Sequence, residues 1–68
     1  MLSARNQFKG IVKSIKLGTV MAEVVVETGG LEVVSVISRA SAESMNLKEG
    51  DAVTAVIKST EVMVAKGL

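Results

Sequence analysis

Ser3-Ala4-Arg5-Asn6-Gln7 puts a hydroxyl, a guanidinium and two amides within five residues, with Gly10 just beyond and an apolar strand pattern following. Near the other end, Lys58-Ser59-Thr60 joins a second fixed cation to two hydroxyls. In the middle, Ser38-Arg39-Ala40-Ser41 adds more short donors. These are residue types for holding an anion. Arg5 offers several N–H donors in a fixed fork and a charge that does not titrate away, and Lys58 adds a compact second charge. Two cations balance a dianion. The hydroxyls of Ser3, Ser38, Ser41 and Ser59 are short enough to converge on a tetrahedral ligand. Charge-assisted hydrogen bonds of this kind contribute about 1.5–3 kcal/mol each. Taken singly, each residue has a plainer reading: Arg5 as a surface arginine, Ser3 as part of a frayed end, Ser41 as a helix cap, Lys58 as an exposed strand-end lysine. The anion reading depends on their convergence.

The rest of the chain is scaffold for these corners, and its size limits how it can be built. Sixty-eight residues make one domain, taken as residues 1–68. A chain this short buries only roughly 60% of its unfolded surface, so its own core is marginal. There is no Cys for a disulfide or thiolate site and no His for a metal ligand or general base. Oligomerisation is the remaining means of stabilisation, and a hydrophobic share of 49% agrees with it. The net charge of +1 makes no global electrostatic demand for nucleic acid or a membrane surface. No apolar run approaches the roughly 18 residues of a transmembrane helix, and the N-terminus lacks the apolar segment of a signal peptide. The expectation is a soluble cytoplasmic protein.

The pattern predicts β structure nearly throughout. A first strand is expected over residues 7–16, with Phe8, Gly10, Val12 and Ser14 on one face and Lys9, Ile11, Lys13 and Ile15 on the other. Gly10 inside it signals a bulge, a bend or a close backbone approach. A second strand is expected over residues 20–27, then a hairpin at Thr28-Gly29-Gly30, then a third strand over residues 31–38. The second and third strands are apolar on both faces, which implies burial of the second face against another subunit. Residues 40–45 lose the alternation and predict a short helix capped by Ser38 or Ser41. After a loop over residues 46–51, with Leu47 turned to the core, a fourth strand is expected over residues 52–58 and a short fifth over residues 61–65. The fold class is therefore all-β: a five-stranded OB-like Greek-key barrel with one short helix between strands 3 and 4.

Catalysis finds little support in these residues. His and Cys are absent, and the acidic residues fall at exposed-looking positions without forming a visible pair. Lys58 beside Ser59 suggests a dyad, but neighbours on a strand point to opposite faces. There is no glycine-rich loop with its Lys and following helix. The expectation is that the protein is not an enzyme and has no catalytic residues. Nucleic acid, a common ligand of OB barrels, needs stacking platforms, and Phe8 is the single aromatic residue. An OB-type interaction module binding nucleic acid or protein remains the alternative.

Ser3-Ala4-Arg5-Asn6-Gln7 followed by Gly10 resembles the opening of the molybdate-binding Mop domain, as in molbindins. The same module occurs in molybdate-responsive regulators and, under the name TOBE, at the end of transporter ATPases. The resemblance runs on through Val36-Ile37-Ser38-Arg39-Ala40-Ser41, Asn46-Leu47-Lys48-Glu49-Gly50-Asp51 and Ala55-Val56-Ile57-Lys58-Ser59-Thr60. It covers essentially the whole chain, and four blocks in the right order make it specific. It implies an OB-like barrel assembled as a homo-hexamer, a trimer of dimers, holding oxyanions between subunits. Ser3, Arg5, Lys58 and Ser59 would come from one subunit, and Ser38 and Ser41 from another. Some relatives have Thr where this chain has Ser38. Ala4 and Asn6 would shape the backbone, Asn6 by bonding main chain. The ligand implied is molybdate or tungstate as the intact oxyanion, with no metal-ligating side chains and no organic cofactor. With no DNA-binding or ATPase segment attached, the resemblance implies storage or buffering.

Overall fold

The computed structural model describes residues 3–68. Four strands form one antiparallel sheet: β1 (Asn6–Leu17), β2 (Met21–Thr28), β3 (Leu31–Ser38) and β4 (Ala52–Ile57), with helix α1 (Arg39–Ser44) between β3 and β4. The strand order is β3-β2-β1-β4. Three strands thus follow one another by hairpins, and the fourth returns through α1 to lie beside the first, which is the Greek-key order. Gly29 and Gly30 both take positive φ in the β2–β3 turn, as a two-residue hairpin of this twist requires.

Val12, Val24 and Val26 form the buried centre, with Ile15, Ile37, Leu47, Val53 and Ala55 packed around them. On the second strand, Ala22, Val24 and Val26 form the buried face. In the first strand the alternation breaks. The register passes from Val12↔Val26 to Ser14↔Val25, so Lys13 is an inserted residue. A bulge resets which face follows, and Ile15 joins Val12 on the core side instead of lying opposite it with Lys13. Gly10 marks something else. A Cβ there would lie 2.3 Å from the Glu27 carbonyl oxygen and 2.9 Å from the Val26 side chain. The backbones approach so closely that only hydrogen fits.

Ser38 caps α1: its Oγ accepts from the Ser41 N–H at 3.1 Å. The helix packs on β2 and β3 with Ala42 buried. Leu47 covers the core as expected, and β1 is tied to the following loop by Val12 N–H to the Asp51 carbonyl at 2.9 Å and Gly50 N–H to the Val12 carbonyl at 2.8 Å.

The expected fifth strand over residues 61–65 is not formed. The fourth strand ends at Ile57, a 3₁₀ turn occupies Ser59–Glu61, and the residues after it pair with nothing in the described chain. Glu61–Ala65 is a Glu followed by four apolar residues, but a strand also needs an edge to pair with, and these residues take none in their own sheet. Met63 and Val64 are each 94% exposed. Nor does the sheet close within one copy. No ladder joins β3 to β4 among the described residues, and an open groove lies between them, lined by Val33, Val34, Val36, Val53, Ala55 and Ile57 among others. On the outer face Val34 and Val36 are 59% and 62% exposed.

Candidate functional site

The pairing of β1 with β4 builds the first corner. Asn6 faces Ile57 across the ladder, so Ser3-Ala4-Arg5 runs into β1 just where Lys58 and Ser59 leave β4. Side chains reinforce the junction. Gln7 Nε2 donates to the Ala4 carbonyl at 2.6 Å, and Gln7 N–H donates to the Arg5 carbonyl at 3.0 Å, which turns the chain tightly about Asn6. Asn6 Nδ2 points its N–H at Ser59 Oγ from 3.5 Å, a weak contact longer than the usual range of about 2.7–3.2 Å. Lys58 stands at the head of the 3₁₀ turn in extended conformation and, like Arg5, Ser3 and Ser59, is exposed.

The charges at this corner are unopposed. Among the described residues, Lys13 is paired with Glu32 and Arg39 with Glu43 at 3.4 Å, while neither Arg5 nor Lys58 forms an ion pair. The Glu32 carboxylate, first by its hydrogen bond and then by its charge, holds the Lys13 ammonium above the usual lysine pKa. That pair sits at the bulge, outside the donor corner.

Ser38 and Ser41 form a second corner. Ser38 Oγ accepts from the Ser41 N–H and donates to Ser41 Oγ at 2.8 Å. Arg39 beside them is occupied: its guanidinium donates to the Gly18 carbonyl at 3.2 Å and meets Glu43, and its N–H donates to the Val20 carbonyl at 2.7 Å. It therefore ties α1 to the β1–β2 turn, which the sequence pattern did not suggest.

The fold brings Ser3, Arg5, Lys58 and Ser59 to one end of the sheet and leaves Ser38 and Ser41 at the other. Ser38 faces Met21, at the end of β2 that adjoins Leu17. Arg5 precedes Asn6, at the opposite end of β1. At roughly 3.3 Å per residue, the ends of this 12-residue strand are much further apart than one tetrahedral oxyanion reaches. Two side chains at the first corner escaped the sequence reading. Asn6, expected to bond main chain, meets the Ser59 side chain instead. Gln7, which had no assigned role, buttresses Ala4. The signal available was two adjacent amides beside the arginine, but their partners are set by the β1–β4 register.

No group of three or more Asp or Glu residues able to hold a metal ion occurs among the described residues. The corner instead presents N–H and O–H donors with fixed positive charge, the complement of an anion's oxygens.

Comparison with known proteins identifies the family. The TOBE domain family model matches residues 2–64. Molybdenum-pterin-binding protein 3 of Clostridium pasteurianum is 56% identical over 64 residues, covering 93% of this chain and 94% of that one. The solved structure of MopII from Clostridium pasteurianum superposes with a TM-score of 0.92 at 51% identity, covering 97% of this chain and all of that one. A molybdate-binding protein from Sporomusa ovata gives a TM-score of 0.93 at 42% identity over 97% of this chain and 98% of its own. With the family model spanning nearly its full length and relatives matching it end to end, the chain belongs to the TOBE domain family, among its molybdenum-pterin-binding (Mop) proteins.

Proposed function

We propose that this chain binds molybdate or tungstate as the intact tetrahedral oxyanion, reversibly and without catalysis, at sites completed by a second copy of itself, and that it stores or buffers the ion in the cytoplasm. The observation that carries this reading is the division of the donor set: Arg5, Lys58, Ser3 and Ser59 at one end, Ser38 and Ser41 at the other. A site using all six residues needs two copies. The names of the similar proteins support the choice of ligand. No helix of the described residues is long and apolar enough to cross a membrane.

The ion already carries its own oxygen ligands, so the protein supplies only hydrogen bonds and charge, with no organic cofactor. Sulfate is also a dianion, and discrimination against it rests on cavity size and donor spacing. Hydrogen phosphate carries a proton that a donor-only site leaves unpaired, which costs about 1–3 kcal/mol.

The open groove supports an assembly of copies. The segment after Glu61 is apolar and exposed, and the edges of β3 and β4 are unpaired around an apolar channel. Residues 62–66 of a second copy laid along one of these edges would supply the fifth strand and close the OB-like barrel. Pairs joined in this way would associate further into the homo-hexamer, a trimer of dimers, that the Mop resemblance implies.

Calorimetric titration of the purified protein with molybdate, tungstate and sulfate at matched ionic strength tests the reading. Saturable heat with the first two and little with sulfate is expected. No heat with any of the three overturns it.

A further inference from the structure

At both corners a hydroxyl is held from behind by another side chain. A serine hydroxyl has one hydrogen to give and two lone pairs to accept with. At the second corner Ser38 spends its hydrogen on Ser41 Oγ, so Ser41 keeps its own. At the first corner Ser59 Oγ accepts from Asn6 Nδ2, and again the serine keeps its hydrogen. Asn6 can do this because it is half-buried in β1 opposite Ile57, two residues before Ser59 on the paired strand. Ser59 itself is exposed.

From this contact, and resting on the oxyanion reading above, we infer that Asn6 is a positioning residue of the anion site. Its amide occupies a lone pair of Ser59 Oγ and so directs the Ser59 O–H outward, toward the ligand beside Arg5 and Lys58. Without the amide, the hydroxyl is free to turn its hydrogen to a carbonyl or to water, and its lone pairs to the anion. Donation by Asn6 also polarises the Ser59 O–H, strengthening its bond to a charged acceptor. The arrangement keeps the corner donor-only, which is what rejects a protonated oxyanion. The 3.5 Å separation leaves room for the contact to shorten when a ligand fixes the hydroxyl.

The test is molybdate titration of the full chain as wild type, Asn6→Ala, Asn6→Ser, the near-isosteric Asn6→Asp, Ser59→Ala and the Asn6→Ala/Ser59→Ala double variant, with the thermal midpoint of each recorded. One hydrogen bond of this class corresponds to about tenfold in affinity. Asn6→Ala and Asn6→Ser should each weaken binding about tenfold. In the Ser59→Ala background, Asn6→Ala should cost less than about twofold, since the group it orients is gone. Asn6→Asp should weaken binding by more than about a hundredfold, because its carboxylate accepts the Ser59 hydrogen and adds negative charge beside the anion. A merely structural Asn6 would lower the midpoint and cost the same affinity with or without Ser59. Equal losses in the two backgrounds, or unchanged affinity in Asn6→Ala or Asn6→Asp, overturn the assignment while leaving the oxyanion reading intact. A wild type that binds no molybdate removes both.

Discussion

Arg5 and Lys58 differ from the two cations that the fold employs. Arg39 is held by Glu43 and the Gly18 carbonyl, and Lys13 by Glu32. Arg5 and Lys58 are exposed, and no described carboxylate pairs with either. Side chains with no partner in the folded chain contribute little to its stability, so Arg5→Ala and Lys58→Ala should leave the thermal midpoint of the ligand-free protein within a few degrees while removing molybdate binding. Arg5→Lys should recover only part of it, because a single ammonium does not reproduce the guanidinium fork. Calorimetry on the three variants checks this, and a midpoint that falls along with affinity would reassign Arg5 to the scaffold. Lys13 makes the opposite prediction. Its pKa is raised in the folded state by Glu32, so the pair's contribution is fully present below the ordinary lysine value. It is lost as pH rises through the raised one. Both partners are about half exposed, so the effect is small and salt-screened. Stability should be flat through neutral pH and decline at strongly alkaline pH, and Glu32→Gln should soften that decline without affecting anion binding.

At the scale of elements, the strands were legible because runs of valine between turn residues fix the conformation; with both faces apolar, the pattern did not fix which face goes inward, and the fold buries Ala22, Val24 and Val26. The bulge at Lys13 was not legible, because the place where one inserted residue breaks the alternation is fixed by the partner's register. Ser38-Arg39-Ala40-Ser41 was legible as a helix start, though not that Arg39 would be consumed in fastening α1 to the β1–β2 turn. The first corner was half legible. Its charges and hydroxyls stand out in the sequence, but which amide meets which hydroxyl depends on β1 pairing with β4. Gly10 was legible as special, and the structure supplies the reason. At 2.3 Å from a carbonyl oxygen, a Cβ cannot be accommodated by rotating a side chain, since the obstacle is backbone. Gly10→Ala should therefore cost on the order of 2–4 kcal/mol, in the range of strained or overpacked core substitutions, or prevent folding. Urea unfolding measures it, and a loss under about 0.5 kcal/mol would mean that β1 and β2 separate easily at this point.

For the whole molecule, the fifth strand is where a single copy and its sequence disagree, and the disagreement has a physical form. Residues 61–65 are short and mostly apolar, as a buried strand is, yet in one copy they pair with nothing, while β3 and β4 each present an unpaired edge. An open apolar edge invites pairing with another chain, and a 68-residue chain with so small a buried centre has much to gain from it. If the tail of one copy closes the barrel of another, a change confined to the tail should do nothing to the isolated fold and much to the assembly. Val64 is 94% exposed and distant from the core, so Val64→Lys removes no contact in a single copy. In the assembled form it places an ammonium in a strand packed along Val34, Val53 and their neighbours. The expected result is an assembly that dissociates at far higher protein concentration than wild type, read by sedimentation velocity. Molybdate affinity should fall with it, since Ser38 and Ser41 of one copy would no longer reach Arg5 and Lys58 of another. If, as proposed, the ligand binds where copies meet, wild type should also show mass action in two variables: its thermal midpoint should rise with protein concentration and with molybdate. Val64→Lys should lose both dependences together. A variant that stays assembled and keeps its affinity would show that the tail is a loose end and that the groove is closed in another way.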